Sequence, residues 1–330
     1  MKTCIFCVSL FITGCNNFQI IDLNGVTMGT TYSISIINNN GHSTNSKLMQ
    51  NQIDSILIDI NNIFSHYMPS SELSSINRYC SKEPIEISEE MAEVLNQAAQ
   101  VYKASKGKFD VTMKPLIDIW GFGPEFNTSK IPSSELLKET KKYVGFEKLL
   151  LTNQTLQKTN TLIQIDLNAI AKGWAVDIIG EFIKKFGYTN YMVEIGGEIS
   201  VSGKNKHNNN WEIGISIPEN LQPRLFSTIN ISNLSVATSG TYNNYFTMDN
   251  IEYSHIIDPD SGYPIKHDLV SATILAEKCS YADAIATGVM VMGFYEGLHL
   301  VNSLPNVECL LIRKSENGNY TIGKSDGFSY

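Results

Sequence analysis

Apolar residues recur along this chain at two different periods, and the order in which the periods alternate constrains the fold more than any other feature. Val26–Ile37 (VTMGTTYSISII) alternates in twos and is rich in Thr, Ile and Tyr, the pattern of an early strand. Leu48, Ile53, Ile56, Leu57, Ile60 and Ile63 or Phe64 follow the helical period over Ser46–Phe64. A second helix is expected from Ser88, a suitable N-cap, to Ser105, with Met91, Val94, Leu95, Ala98 and Tyr102 on one face and Gly107 as its stop. The stretch from Gly121 to Ser134, with Pro124 and Pro132, reads as a loop, followed by a polar helix to about Tyr143, and is the best candidate for an insertion or lobe boundary. From Leu162 the periods interleave: strand-like LIQIDL, a helix over Ala171–Phe186, then YMVEI, ISVSG and WEIGISI. Hairpin-like pairs mixed with helices predict an α+β fold rather than a doubly wound parallel sheet.

At 330 residues the chain is long enough for one large domain or two modest ones. Its formal charge of -8 argues against a phosphate-backbone binder, which needs clustered Lys and Arg, so no nucleic-acid partner is expected. The N-terminus carries an address. Lys2 precedes a short apolar run, Cys4–Thr13, too short to span a bilayer. The run ends in Ile12-Thr13-Gly14-Cys15, which resembles the lipobox of bacterial lipoproteins, cut before a Cys that is then acylated. This reading divides the chain into a signal peptide (1–14), a short tether (15–25) and one domain (26–330). It places the protein at the cell membrane, lipid-anchored through Cys15 on the non-cytoplasmic side, periplasmic where an outer membrane exists. An unprocessed apolar start with a chance Cys is the alternative. Cys80, Cys279 and Cys309 then remain, widely spaced and without CxxC, which disfavours a disulfide framework or a zinc site and leaves room for one incidental bridge.

Four segments carry polar residues in settings suited to chemistry. DLNAIAKGWAVD (166–177) runs off a strand-like stretch into a helix, presenting Asp166 and backbone groups at a helix start, although a capped helix with a small-residue face would look the same. EIGGEIS (194–200) breaks a strand with paired glycines, which allow close backbone approach or simply make a turn. Val236–Tyr242 (VATSGTY) is followed by SHIIDPDSGYP (254–264), whose Asp-Pro-x-Ser-Gly turn ends the strand bearing His255, a residue either packed or functional. In ADAIATGVMVMG (282–293), Asp283 and Thr287 stand four apart on one helical face and can converge on a hard cation. The plain alternative makes Asp283 an N-cap and Thr287 a satisfied core hydroxyl.

Taken together, MGTTYSI, FSHYMPSSELSSIN, GKFDVTMKPLIDIWGFG, DLNAIAKGWAVD, EIGGEISVSGKN, ATSGTYNNYF, SHIIDPDSGYPI and ADAIATGVMVMG resemble, in order, the segments of the ApbE family of FAD:protein FMN transferases from about Val26 to Gly293. The resemblance implies a compact, two-lobed single α+β domain with FAD in the central cleft. Met28, Tyr67, Trp120, Gly121 and Phe122 match segments around the flavin and adenine. Asp166 and Lys172 flank the ligand, Ser254 and His255 lie near the pyrophosphate, and the Ala169 carbonyl with Asp283 and Thr287 matches a Mg²⁺ site. The sequence departs from the family where the usual Ser-Thr-Tyr reads Ser65-His66-Tyr67 and where Met68 replaces an acid before Pro69.

The implied chemistry is Mg²⁺-dependent attack of a Ser or Thr hydroxyl of an acceptor protein on the FMN-side phosphorus of FAD, with AMP leaving. His255 is the candidate for proton transfer or phosphate stabilisation, and the acceptor is expected to be a membrane-associated redox protein. Two alternatives share the pocket: an FAD pyrophosphatase giving FMN and AMP, and a non-catalytic flavin-binding lipoprotein.

Overall fold

The computed structural model describes residues 18–39, 45–123, 131–219, 222–241, 245–248, 251–315 and 317–329. The signal segment, the lipobox with Cys15, Pro124 and Tyr242 lie outside the described residues.

In chain order the strands are β1 (Gln19–Thr27), β2 (Thr30–Asn38), β3 (Ile85–Glu86), β4 (Leu149–Thr152), β5 (Thr155–Lys158), β6 (Tyr191–Ile195), β7 (Glu198–Ser202), β8 (Trp211–Glu219), β9 (Gln222–Ile231), β10 (Leu234–Gly240), β11 (Tyr245–Met248), β12 (Ile251–Ser254), β13 (Leu269–Ala276), β14 (Glu308–Lys314) and β15 (Tyr320–Lys324). The α-helices are α1 (Ser46–Phe64), α2 (Glu72–Arg78), α3 (Glu89–Ala104), α4 (Lys114–Ile119), α5 (Ser134–Thr140), α6 (Ala171–Lys185), α7 (Cys279–Met292) and α8 (Phe294–Ser303). One antiparallel sheet in the order β1-β2-β6-β7-β10-β13-β14-β15 organises the molecule, as an α+β fold requires.

Period-two alternation on the central strands sorts side chains onto two faces. Ala237, Ile274 and Leu311 join the core beneath the helices, whereas Val236, Leu275, Leu310 and Ile312 face the other way. There the β8–β9 ribbon covers them with Ile213, Ile215, Ile217, Ile229 and Ile231. On the helical side, α7 packs on β10, β13 and α6; it is apolar almost all round because it is enclosed almost all round. A third cluster, Leu116, Trp120, Phe122, Phe246, Tyr253 and Ile257 among its members, forms a smaller lobe beside the sheet.

The early strand is a hairpin: Met28 (φ 50°) and Gly29 (φ 73°) form a two-residue turn, and Thr27 pairs with Thr30. Two successive positive φ values match the right-handed twist of the flanking strands, so the chain reverses where an unbroken strand was expected. As a consequence, residues 19–25, expected as tether, are an edge strand of the sheet. The strand expected over LIQIDL is absent. Its backbone bonds go elsewhere: Ile165 N–H donates to Asn77 Oδ1 (2.7 Å), Asn77 Nδ2 donates to Ile165 O (2.8 Å), and Asp166 N–H donates to Val111 O (2.7 Å). Burial of Ile163, Ile165 and Leu167 explains the strand-like pattern without a strand. Cys80, Cys279 and Cys309 are free thiols.

Candidate active site

A cleft of about 310 Å³ lies between the sheet-and-helix body and the smaller lobe. Its floor is built where α6 and α7 meet. Gly173 makes that meeting close: a Cβ there would stand 2.5 Å from the Cys279 carbonyl oxygen. Across the contact, Asp177 of α6 caps α7, accepting from the N–H groups of Cys279 (2.8 Å) and Ser280 (3.0 Å) and from the Ser280 hydroxyl (2.6 Å). The cap lies at Lys278 and Cys279, so Asp283 is an interior helical residue and not an N-cap. Asp283 and Thr287 both line the cleft, one turn apart, as their spacing predicts.

The carboxylate of Asp283 accepts from Gly173 N–H at 3.1 Å, and Thr287 Oγ1 lies 3.2 Å from Ser239 Oγ at the end of β10. Ala169 and Lys172, at the start of α6, line the same wall. Lys172 Nζ pairs with Glu198 Oε1 at 2.5 Å, while Glu198 Oε2 has no hydrogen-bond partner among the described residues. Burial pushes Glu198 up to about 8, with Asp283 adding to the rise and Lys172 opposing it. Burial raises Asp283 as well, against the pull of Lys172 and the Gly173 N–H. For Lys172, burial works against the charge, but Asp283 and Glu198 outweigh it and hold the ammonium above its ordinary range.

Two buried carboxylates therefore share one ammonium, and one carboxylate oxygen is orphaned. Such a site is short of positive charge, because buried ions need compensating charge and hydrogen bonds. Its free donors are oxygens, the kind a hard divalent cation prefers. Among the described residues, no three His, Cys, Asp or Glu side chains form a self-sufficient metal cluster. A cation here would complete its shell with substrate oxygens and water, the habit of Mg²⁺.

The opposite wall comes from the smaller lobe and its neighbours. His255, one residue beyond β12, faces Phe122 edge-on with ring centroids 6.3 Å apart. The turn after it is closed by Gly262 N–H donating to Asp258 O at 2.8 Å. Lys108 Nζ binds Asp258 Oδ1 (2.9 Å) and Asp260 Oδ2 (2.8 Å), tying this turn to the 107–113 segment. Asp110, also on the cleft wall, is pushed by burial up to about 6, despite accepting from Thr112 and Phe146. Tyr67 is 58% exposed at the mouth, beside Asp166 and Asn168.

Of the expected residues, Tyr67, Phe122, Asp166, Ala169, Lys172, His255, Asp283 and Thr287 share this cleft. Met28 sits in the β1–β2 turn and packs partly against the core, outside the cleft lining. Trp120, expected beside the ligand, is 1% exposed behind the wall, its Nε1 donating to Gly262 O at 2.8 Å; Gly121 also lies outside the lining. Ser254 is buried and its hydroxyl accepts from Ile256 N–H at 3.2 Å, so it shapes the His255 backbone rather than the cleft surface. Glu198, Lys108 and Asp110 line the cleft without having been singled out. The acid after the Gly pair in EIGGEIS was the readable signal for Glu198, since the turn folds it back toward Lys172.

The ApbE family model matches residues 28–311. The FAD:protein FMN transferase of Vibrio cholerae is 39% identical over 310 residues, covering 94% of this chain and 92% of that protein. The FAD:protein FMN transferase of Haemophilus influenzae is 38% identical over 313 residues, covering 93% and 90%. Among solved structures, the flavin transferase ApbE from Vibrio cholerae superposes with a TM-score of 0.86 at 37% identity, over 94% of this chain and 98% of that one. The apo flavinyl transferase ApbE of Pseudomonas stutzeri gives the same TM-score at 28% identity, over 94% and 96%. With a family match that takes in every cleft-lining residue, and with likeness sustained along nearly the whole of both chains, the protein belongs to the ApbE family.

Proposed function

We propose that this protein is a Mg²⁺-dependent FAD:protein FMN transferase, which joins the FMN half of FAD to a Ser or Thr hydroxyl of an acceptor protein and releases AMP. The observation that carries the reading is the charge-deficient floor, Asp283 and Glu198 around Lys172, beneath a cleft with an aromatic mouth. Membership of a family whose relatives bear that activity in their names supports it. Asp283, Thr287 and the Ala169 carbonyl are the residues that would hold the metal. When bound, Mg²⁺ supplies positive charge beside the pyrophosphate.

The chain's own groups do the rest. Phe122 and Tyr67 offer apolar faces to rings. Lys172, kept charged by its two acids, presents an ammonium to phosphate oxygens. The acceptor oxygen forms a bond to the FMN-side phosphorus as the bond to the AMP oxygen breaks. The hydroxyl proton leaves to His255, which the Asp258–Gly262 turn holds at the cleft wall. We further propose that Cys15 anchors the protein by lipid at the non-cytoplasmic face of the membrane and that the acceptor is a membrane-associated redox protein. Among the described residues no helix is long and apolar enough to cross a membrane.

Incubation of the purified protein with FAD, Mg²⁺ and a candidate acceptor tests the reading. Flavin that stays on the acceptor after denaturation, with stoichiometric AMP, is the expected result. Free FMN with AMP and no labelled protein would make it a pyrophosphatase, and FAD bound but unchanged would make it a carrier.

A further inference from the structure

We infer that His66 is a positioning residue for FAD, acting through Asp166 and Tyr67 without lining the cleft itself; this deepens the transferase reading and rests on it. The His66 side chain is 2% exposed, and neither ring nitrogen has a hydrogen-bond partner among the described residues. Its Nδ1 stands 3.5 Å from Asp166 Oδ2, within ion-pair reach but short of hydrogen-bond geometry. Its ring lies 4.2 Å from that of Tyr67, tilted by 41°. Both neighbours line the cleft and His66 does not.

The surroundings leave the carboxylate as the part that can respond. The turn after α1 is pinned: Ser71 Oγ donates to Ser65 O at 2.6 Å and Ser71 N–H to Met68 O at 3.0 Å. Asp166 Oδ1 is engaged by Asn168 N–H at 2.8 Å, so Oδ2 is the oxygen turned toward the imidazole. A shift of roughly half an ångström would convert the 3.5 Å approach into an ordinary N–H···O bond. A ligand donor on Asp166 favours that shift, since a carboxylate accepts through both oxygens at once. His66 then fixes the carboxylate from behind while its ring backs Tyr67. A polar ring buried without a partner is otherwise a cost with no return. Asp283 and His255 belong to the cleft lining that His66 stands behind.

The test is FAD affinity, read by flavin fluorescence quenching without acceptor, beside KM and kcat with acceptor. His66→Leu should weaken FAD binding about tenfold while kcat at saturating FAD stays within about twofold, the split expected for a lost ground-state contact. His66→Asn, whose amide N–H can stand in for Nδ1–H, should recover most of the affinity. In the His66→Leu background Asp166→Asn should add little, because the two act as one unit. Wild-type affinity in His66→Leu, or fully additive effects of the two substitutions, would overturn the inference. So would His66→Asn binding no better than His66→Leu. Should the wild type bind FAD but label no acceptor, the transferase reading fails while the affinity comparison still decides the role of His66.

Discussion

Asp283 shows how a residue's neighbours turn a costly charge into a useful one. It is 4% exposed, raised by burial, and close enough to Glu198 to raise that acid too, with Lys172 opposing the rise in both. A carboxyl whose folded pKa is raised contributes stability below its unfolded value and loses it as pH rises through the folded value. For Glu198 that window runs from its ordinary 4.5 to about 8. Without divalent cation, the melting temperature should therefore fall as pH rises from 5 to 8.5, and added Mg²⁺ should raise it by ~3 °C or more, most at the alkaline end. A Mg²⁺ response that is flat with pH would show that the metal does not bind beside these acids. Asp283→Ala should abolish both the Mg²⁺-induced thermal shift and flavin transfer, and Thr287→Ala should weaken them less, because a neutral hydroxyl contributes less to a hard cation than a carboxylate. His255→Ala should lower turnover by roughly 100-fold with FAD still bound, whereas Tyr67→Ala should weaken FAD binding more than turnover. Loss of FAD affinity with an intact saturated rate in His255→Ala would move proton transfer to another group. The Asp283–Thr287 pair was legible because helical spacing alone puts two oxygens on one face. That Trp120 stands behind the wall was not legible: an aromatic in a Gly-rich segment reads alike whether it walls a cleft or backs the wall, and only packing against Leu116 and Tyr253 tells them apart.

At the scale of elements, long amphipathic segments were read correctly because burial enforces their period. The helices at Ser46–Phe64 and Glu89–Ala104 fall where the apolar stripes put them, the second capped by Ser88 accepting from Met91 N–H at 3.1 Å. Short apolar alternation was less informative. LIQIDL and the strands flanking it look alike in sequence, and what separates them is whether a neighbouring backbone or the Asn77 amide receives their hydrogen bonds. The contact between α6 and α7 is the element-level feature on which the floor depends, and no local pattern announces it. Gly173→Ala tests it. The added methyl meets the backbone of Cys279 and Ser280, atoms that cannot rotate away. Overpacking of this kind costs about 1–3 kcal/mol. It should also lift the Gly173 N–H from Asp283, so the variant should lose Mg²⁺ affinity out of proportion to its loss of stability. Asp177→Ala, which strips the α7 cap but leaves the helix contact in place, should lower the melting temperature with a smaller effect on Mg²⁺. If Gly173→Ala were as stable as wild type and bound Mg²⁺ normally, the close approach would not be what shapes the floor.

For the whole molecule, the sheet order connects the proposed lipid anchor to the cleft. Strand β1 begins at Gln19, four residues after Cys15, so a lipid on Cys15 would hold the sheet edge within ~15 Å of the membrane surface, the reach of an extended chain of that length. From β1 the order runs through β2, β6 and β7 to β10, whose end lines the cleft. Four strand spacings of about 4.8 Å, roughly 20 Å, separate the two strands, and because the row of Gln19 meets the Leu234 end of β10 while Thr238–Gly240 line the cleft, about 25 Å of strand length adds at right angles, a separation of roughly 32 Å. The cleft would then work in a zone within ~50 Å of the bilayer, matched to an acceptor whose hydroxyl lies in the same zone. Sharing one surface raises the effective concentration of enzyme and acceptor without adding any contact between them. Cys15→Ser should accordingly leave uncut, unacylated precursor in cells. As a signal-free soluble protein it should transfer FMN to a detached acceptor domain at the wild-type rate. Against a membrane-embedded acceptor in the same vesicles, the acylated protein should outpace the soluble one by about tenfold or more. Unchanged processing and partition in Cys15→Ser would remove the anchor, and equal rates on the embedded acceptor would leave the anchor without a role in choosing it.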